Sequence, residues 1–124
     1  MEVWQESVVL ATHIYQITDS FPNREKYGMT SQMRRAVVSV PSNIAEGAAR
    51  FYAKEFVQFL SIAGGSLSEL DTQVEIAANL GYLTPHQKEK VDERIDSISM
   101  KLAGLIGKVR RGISNSEKGK VNSE

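Results

Sequence analysis

Residues 32–47, QMRRAVVSVPSNIAEG, carry more apolar surface than a helix needs to face one core. At helical spacing Met33, Val37, Val40 and Ile44 form one stripe, and Ala36, Val38, Ala45 and Ala48 widen it on its flanks. Only a narrow, mostly small polar strip is left, Arg35, Ser39, Ser42 and Glu46. A helix packed on a single core needs an apolar arc of roughly 100°. The wider arc predicts a second covering surface, either more of this chain or another copy of it.

Upstream, residues 2–19 read as a first helix with two adjacent stripes: Trp4, Val8, Ala11 and Tyr15, and Val3, Leu10, Ile14 and Ile17. Phe21-Pro22-Asn23 stops it, because proline disfavours helix in the residue before it. Thr30 or Ser31 is then the expected N-cap of the second helix, which should run to Glu46 and end at Gly47 in the left-handed conformation. Downstream, Phe56, Leu60, Ala63, Leu67, Leu70, Val74 and Ala77 alternate three and four apart, the seam of a long third helix from Ala53 to Leu80. Gly81 ends it, and Thr84-Pro85-His86-Gln87 is a capping box that opens a fourth. Val91, Ile95, Ile98, Leu102, Leu105 and Val109 form its seam. Beyond Arg111 the periodicity stops.

Four amphipathic helices without an alternating strand pattern predict an all-α, antiparallel up-down-up-down four-helix bundle over residues 1–112. Residues 113–124 are expected to be a disordered tail. At 124 residues the chain is one domain. Its 15 basic and 15 acidic residues cancel, so no whole-molecule field draws a polyanion. Charge is nonetheless blocked: residues 101–120 carry six Lys/Arg against Glu117, while Glu55, Glu69, Asp71 and Glu75 stand unopposed in residues 55–80. Such blocks read as helix faces that pair with oppositely charged neighbours. The absence of cysteine excludes disulfides, thiolate catalysis and cysteine-ligated metal and says little about compartment. With no signal-like leader and no long apolar run, a cytoplasmic protein away from the membrane is expected.

Two positions break helix rules. Pro41 removes a backbone hydrogen bond mid-helix, at about 3 kcal/mol. Gly64-Gly65 costs roughly 1 kcal/mol per glycine relative to alanine. A kinked helix and a bare one could approach closely there. Alternatively, the freed Val37 carbonyl and the Ser39 and Ser42 hydroxyls form a ligand site.

No catalytic constellation is present. His13 and His86 are the only histidines, and neither follows a glutamate by three residues, so the carboxylate–histidine pattern of a di-metal bundle is missing. No nucleophile elbow or phosphate loop occurs, and no metal or cofactor is expected. Phe59, Ile62, Ser66, Glu69, Gln73, Ile76 and Leu80 form a stripe too mixed for a core and too apolar for solvent. Together with Arg35, Ser39, Ser42 and Glu46 it predicts a subunit interface, in which Arg35 pairs with Glu46 or Glu69. A rival reading uses Arg34, Arg50, Lys54, Lys108, Arg110 and Arg111 as contacts to RNA or DNA, with Arg35 added and with Phe51 and Tyr52 stacking on bases. If they do not stack, the two aromatics cap the bundle end.

The runs FPNREKYGMTSQMRRAVVSVPSNIAEG and EFVQFLSIAGGSLSELDTQVEIAANLGYL, with Ser42-Asn43-Ile44-Ala45-Glu46-Gly47 the most specific part, resemble a known family. They look like the four-helix bundle proteins encoded in intervening sequences of bacterial 23S ribosomal RNA genes. Relatives include the accessory variability determinant of diversity-generating retroelements, which is strongly basic where this chain is neutral. The resemblance spans residues 4–110. It implies a ring-shaped homo-oligomer, a pentamer, whose partner is itself and in which outer helix faces are buried between subunits. It supplies no catalytic residue to carry over.

Overall fold

In the computed structural model the backbone is described for residues 1–122 and the side chains for residues 1–115. The fold is all-α. Four helices, α1 (Glu2–Thr18), α2 (Met29–Ala48), α3 (Ala53–Asn79) and α4 (Pro85–Asn122), follow one another, with a short 3-10 turn at Asn23–Glu25. No strand occurs among the described residues. Each helix packs against two others: α1 on α2 and α4, and α3 on α2 and α4.

The core is built from the stripes with helical period. Leu10 and Ile14 of α1, Val37, Val40 and Ile44 of α2, Leu60, Leu70 and Val74 of α3, and Val91 and Ile98 of α4 are all fully buried. On α1 only one of the two stripes goes inside. Val3, Leu10, Ile14 and Ile17 are buried, whereas Trp4, Val8 and Tyr15 are 37–44% exposed. Two neighbouring helices can cover one arc of α1, and the second stripe lies outside it.

The helix ends follow local chemistry in two places. Gly81, at φ +78°, lets the Tyr82 N–H reach the Ala77 carbonyl and its own N–H reach Ala78, the double bond of a Schellman ending. At the start of α4, the Gln87 side chain accepts from the Thr84 N–H at 2.9 Å and Thr84 Oγ1 accepts from the Gln87 N–H at 3.1 Å. That is the reciprocal box.

Elsewhere the structure departs from the expectations. The N-cap of α2 is Gly28, not Thr30 or Ser31, and Glu25 Oε1 accepts the Met29 N–H at 3.2 Å. The second helix does not stop at Gly47. It continues to Ala48, with Gly47 inside it, buried and at negative φ. Its role is close approach: a Cβ there would lie 2.6 Å from Phe59 Cβ and 3.0 Å from Phe56 Cδ1. Gly64 and Gly65, expected to make that approach, have nothing within 4 Å of a built Cβ. Pro41 is accommodated inside α2 and buried. The last helix was expected to end near Arg111 and runs to Asn122. No proline interrupts it, and elongation of a formed helix adds a hydrogen bond for each residue ordered. Residues 123 and 124 of the expected tail lie outside the described residues.

Charge blocks pair between helices, as helix faces should. Lys101 of α4 contacts Glu2 and Glu6 of α1, and Lys88 contacts Glu75 of α3 as well as Asp92 one turn along α4. No helix of the described residues is long and apolar enough to cross a membrane.

Candidate functional site

Between α2 and α3 the small polar strip of α2 meets the mixed stripe of α3. Ser39 Oγ and Ser66 Oγ are 2.8 Å apart, and Asn43 Nδ2 donates to Ser39 Oγ at 2.9 Å and to its carbonyl at 2.7 Å. Beside this bridge lies a hollow of about 380 Å³ lined by Gln32, Arg35, Ala36, Ser39, Ser66 and Glu69. Four residues expected on one face, Arg35, Ser39, Ser66 and Glu69, are therefore brought together. The Ser39 hydroxyl proposed above for a ligand at the Pro41 kink is already engaged by Ser66 and Asn43.

Other members of that set are placed differently. Ser42 and Glu46 are exposed on α2, and Glu46 Oε1 accepts from Arg50 at 2.9 Å within the same helix. Arg35 has no salt bridge to Glu46 or to Glu69; among the described residues it has no ionic partner. Gln73 turns into the chain's own interior at 6% exposure. It follows Leu70 by three residues and shares its inward face. There its Nε2 reaches Glu69 at 3.4 Å while Oε1 has no partner. Phe59 is half-buried against Gly47 with the Arg50 guanidinium 4.8 Å above its ring. Ile62, Ile76 and Leu80 remain 44–53% exposed on α3.

The basic residues are scattered. Arg34 and Arg50 are sixteen positions apart on or just past α2, roughly 24 Å of helix. Arg34 is tied to α1: its Nε donates to Thr18 Oγ1 at 2.9 Å and its Nη2 to the Tyr15 carbonyl at 3.3 Å. Arg50 and Lys54 flank the turn into α3, and Lys108, Arg110 and Arg111 are exposed on α4. Phe51 and Tyr52 do not cap the bundle end. They are 92% and 66% exposed and contact each other edge to face at 5.2 Å.

Among titrating groups, Glu6 is held below the usual carboxylate range by the Lys101 ammonium and the Ser97 hydroxyl, both donating to it. Burial raises Asp71, helped by the nearby carboxylates of Asp92, Asp96 and Glu75. Burial lowers His13, with Arg94 and Lys90 adding repulsion, and its Nδ1 is buried without a partner. His86 is exposed at the start of α4. Among the described residues no group of three His, Asp or Glu side chains could hold a metal ion.

Residues 1–104, which contain all of α1 to α3 and most of the packed part of α4, match the family model of the 23S rRNA-intervening sequence protein. The chain belongs to that family. A solved structure resembles this member, with a TM-score of 0.78 and 23% identity, covering 85% of this chain and 95% of the other. It is a protein of unknown function of the S23 ribosomal protein family from Bacteroides thetaiotaomicron VPI-5482, and at that identity the likeness establishes the fold alone. No curated protein sequence matches the chain significantly. The family and this neighbour carry no assigned activity, so the site of this family member must be argued from its own surface.

Proposed function

We propose that this member of the 23S rRNA-intervening sequence family is a non-enzymatic, cytoplasmic scaffold: an up-down-up-down bundle that assembles with copies of itself into a closed ring of five. The observation that carries the reading is the outward face of α3, where Ile62, Ile76 and Leu80 are half-exposed. Gly64 and Gly65 lie in the same stretch with open space where side chains would be, so another backbone can come close. Each glycine costs helix stability, and among the described residues no close approach at either one offsets that cost. Arg35, lacking an ionic partner beside Glu69 in the α2–α3 hollow, supplies a charge for a neighbouring copy to meet. Exposed apolar surface rimmed by polar groups is the usual mark of a protein–protein contact.

Size-exclusion chromatography with light scattering tests this. The expected mass is five times the 13.8 kDa chain. A monomer at micromolar concentration overturns self-assembly, and a smaller or larger closed number overturns the count.

A further inference from the structure

The turn between α1 and α2 and the first turns of α2 line two hollows, of about 210 and 510 Å³, that share Lys26, Thr30 and Arg34. We propose that this shared wall binds a nucleoside monophosphate. The phosphate sits on Lys26, Thr30, Arg34 and the open N-terminus of α2, and the base lies in the larger hollow against Tyr15, Tyr27 and Val38.

Thr30 is the observation that points to a ligand. It is 8% exposed, it lines both hollows, and its hydroxyl has no hydrogen-bond partner among the described residues. Other helical threonines here return theirs to the preceding turn: Thr12 to Val8, Thr18 to Ile14, Thr72 to Ser68. Thr30 has no preceding helical turn to accept it. The rest of the residue is covered by the chain, so this hydroxyl meets only what enters the hollows, and a ligand oxygen there would take its hydrogen bond. The backbone beside it is also open. Glu25 takes the Met29 N–H, but the N–H groups of Thr30 and Ser31 have no partner among the described residues. They head a helix of 20 residues, whose N-terminus carries partial positive charge.

The cations are arranged for a dianion. Arg34 is clamped by Thr18 and Tyr15 and lies 4.6 Å over the Tyr15 ring, which fixes its plane and leaves both Nη1 protons unused. Its carboxylate neighbour, Asp19, is 3.8 Å away and 89% exposed, too solvated to neutralise it. Lys26 has no ion pair among the described residues; its Nζ lies 5.6 Å from the Tyr27 ring. Lys26, Arg34 and Arg35 thus line the larger hollow with no carboxylate among its walls. It is a hollow open to solvent, and at about 510 Å³ it has room for a nucleoside. The Tyr27 ring, 89% exposed with the Lys26 ammonium over one face, has its other face to offer to a base.

Isothermal titration of the full-length protein with adenosine monophosphate, inorganic phosphate and adenosine tests the site, at low salt and with oligomer mass followed in parallel. The nucleotide should saturate one site per chain and bind at least about tenfold tighter than either fragment. Thr30→Val should weaken it at least about fivefold without lowering Tm, because the hydroxyl has no internal partner to lose. Arg34→Gln should weaken it further. No saturation below about 5 mM, equal affinity for bare phosphate, or unchanged affinity in Thr30→Val overturns the assignment. Because Arg35 borders both this hollow and the proposed subunit contact, the parallel mass measurement tells lost binding apart from lost assembly.

Discussion

Gly47 of α2 lies so close to Phe59 of α3 that a methyl group at position 47 would sit 2.6 Å from the Phe59 Cβ. The obstacle is the root of a side chain, which cannot swing away, so α2 and α3 are held at glycine distance here. Gly47→Ala should destabilise by about 1–2 kcal/mol, the overpacking strain less the gain in helix propensity. Gly65→Ala meets nothing within 4 Å and should stabilise the monomer by up to about 1 kcal/mol. Urea denaturation of the two variants side by side checks the opposite signs.

Leu67, 3% exposed in the seam of α3, should be expensive to truncate. Leu67→Ala is expected to cost about 2–5 kcal/mol, lost transfer energy plus a residual cavity. Chemical denaturation giving a loss below 1 kcal/mol would mean the seam collapses around the gap.

Substitutions on the outward α2–α3 face should separate assembly from folding. Ile62 is 52% exposed, so Ile62→Asp should leave helicity unchanged by circular dichroism while reducing the mass seen by light scattering. Arg35→Ala and Glu69→Ala, both at the rim of the same hollow, should loosen assembly less. Native mass in all three would place the subunit contact elsewhere.

Glu6 ties α1 to α4 through Lys101 and Ser97, which lower its pKa. A carboxyl with a depressed folded pKa stabilises above its unfolded value and loses that contribution as pH falls through the folded one. Glu6→Gln should therefore lower Tm at pH 7, and the difference should vanish in acid below the normal carboxylate range. His13 works in the same pH direction from higher up. Because burial disfavours its charged form, stability should fall as pH drops below the free histidine value of 6.5. In His13→Asn that part of the slope should flatten.

Much of the fold was legible in the chain because its signals are local. The 3.6-residue period marks the buried stripes of all four helices, and Thr84 with Gln87 announces the start of α4 by a bond that needs only three residues. Gly81 after α3 works the same way, through one left-handed residue. The candidate face was partly legible. Arg35, Ser39, Ser66 and Glu69 do converge, since each lies on the side of its helix that the core stripe leaves over. The inward turn of Gln73 is not legible, because a residue at the edge of a stripe goes in or out according to its neighbours, which periodicity does not specify.

What the residue order determined by itself was therefore the helices, their inward stripes and the punctuation between them, all set by forces acting within a few residues. Which glycine serves as a contact was decided only in three dimensions, at Gly47 and not at Gly64-Gly65, because it depends on what the opposite helix presents at that level. The same holds for the unpaired hydroxyl of Thr30 and the clamped plane of Arg34. Both arise where α1, its turn and α2 meet, and such a meeting exists only once distant parts of the chain have packed together.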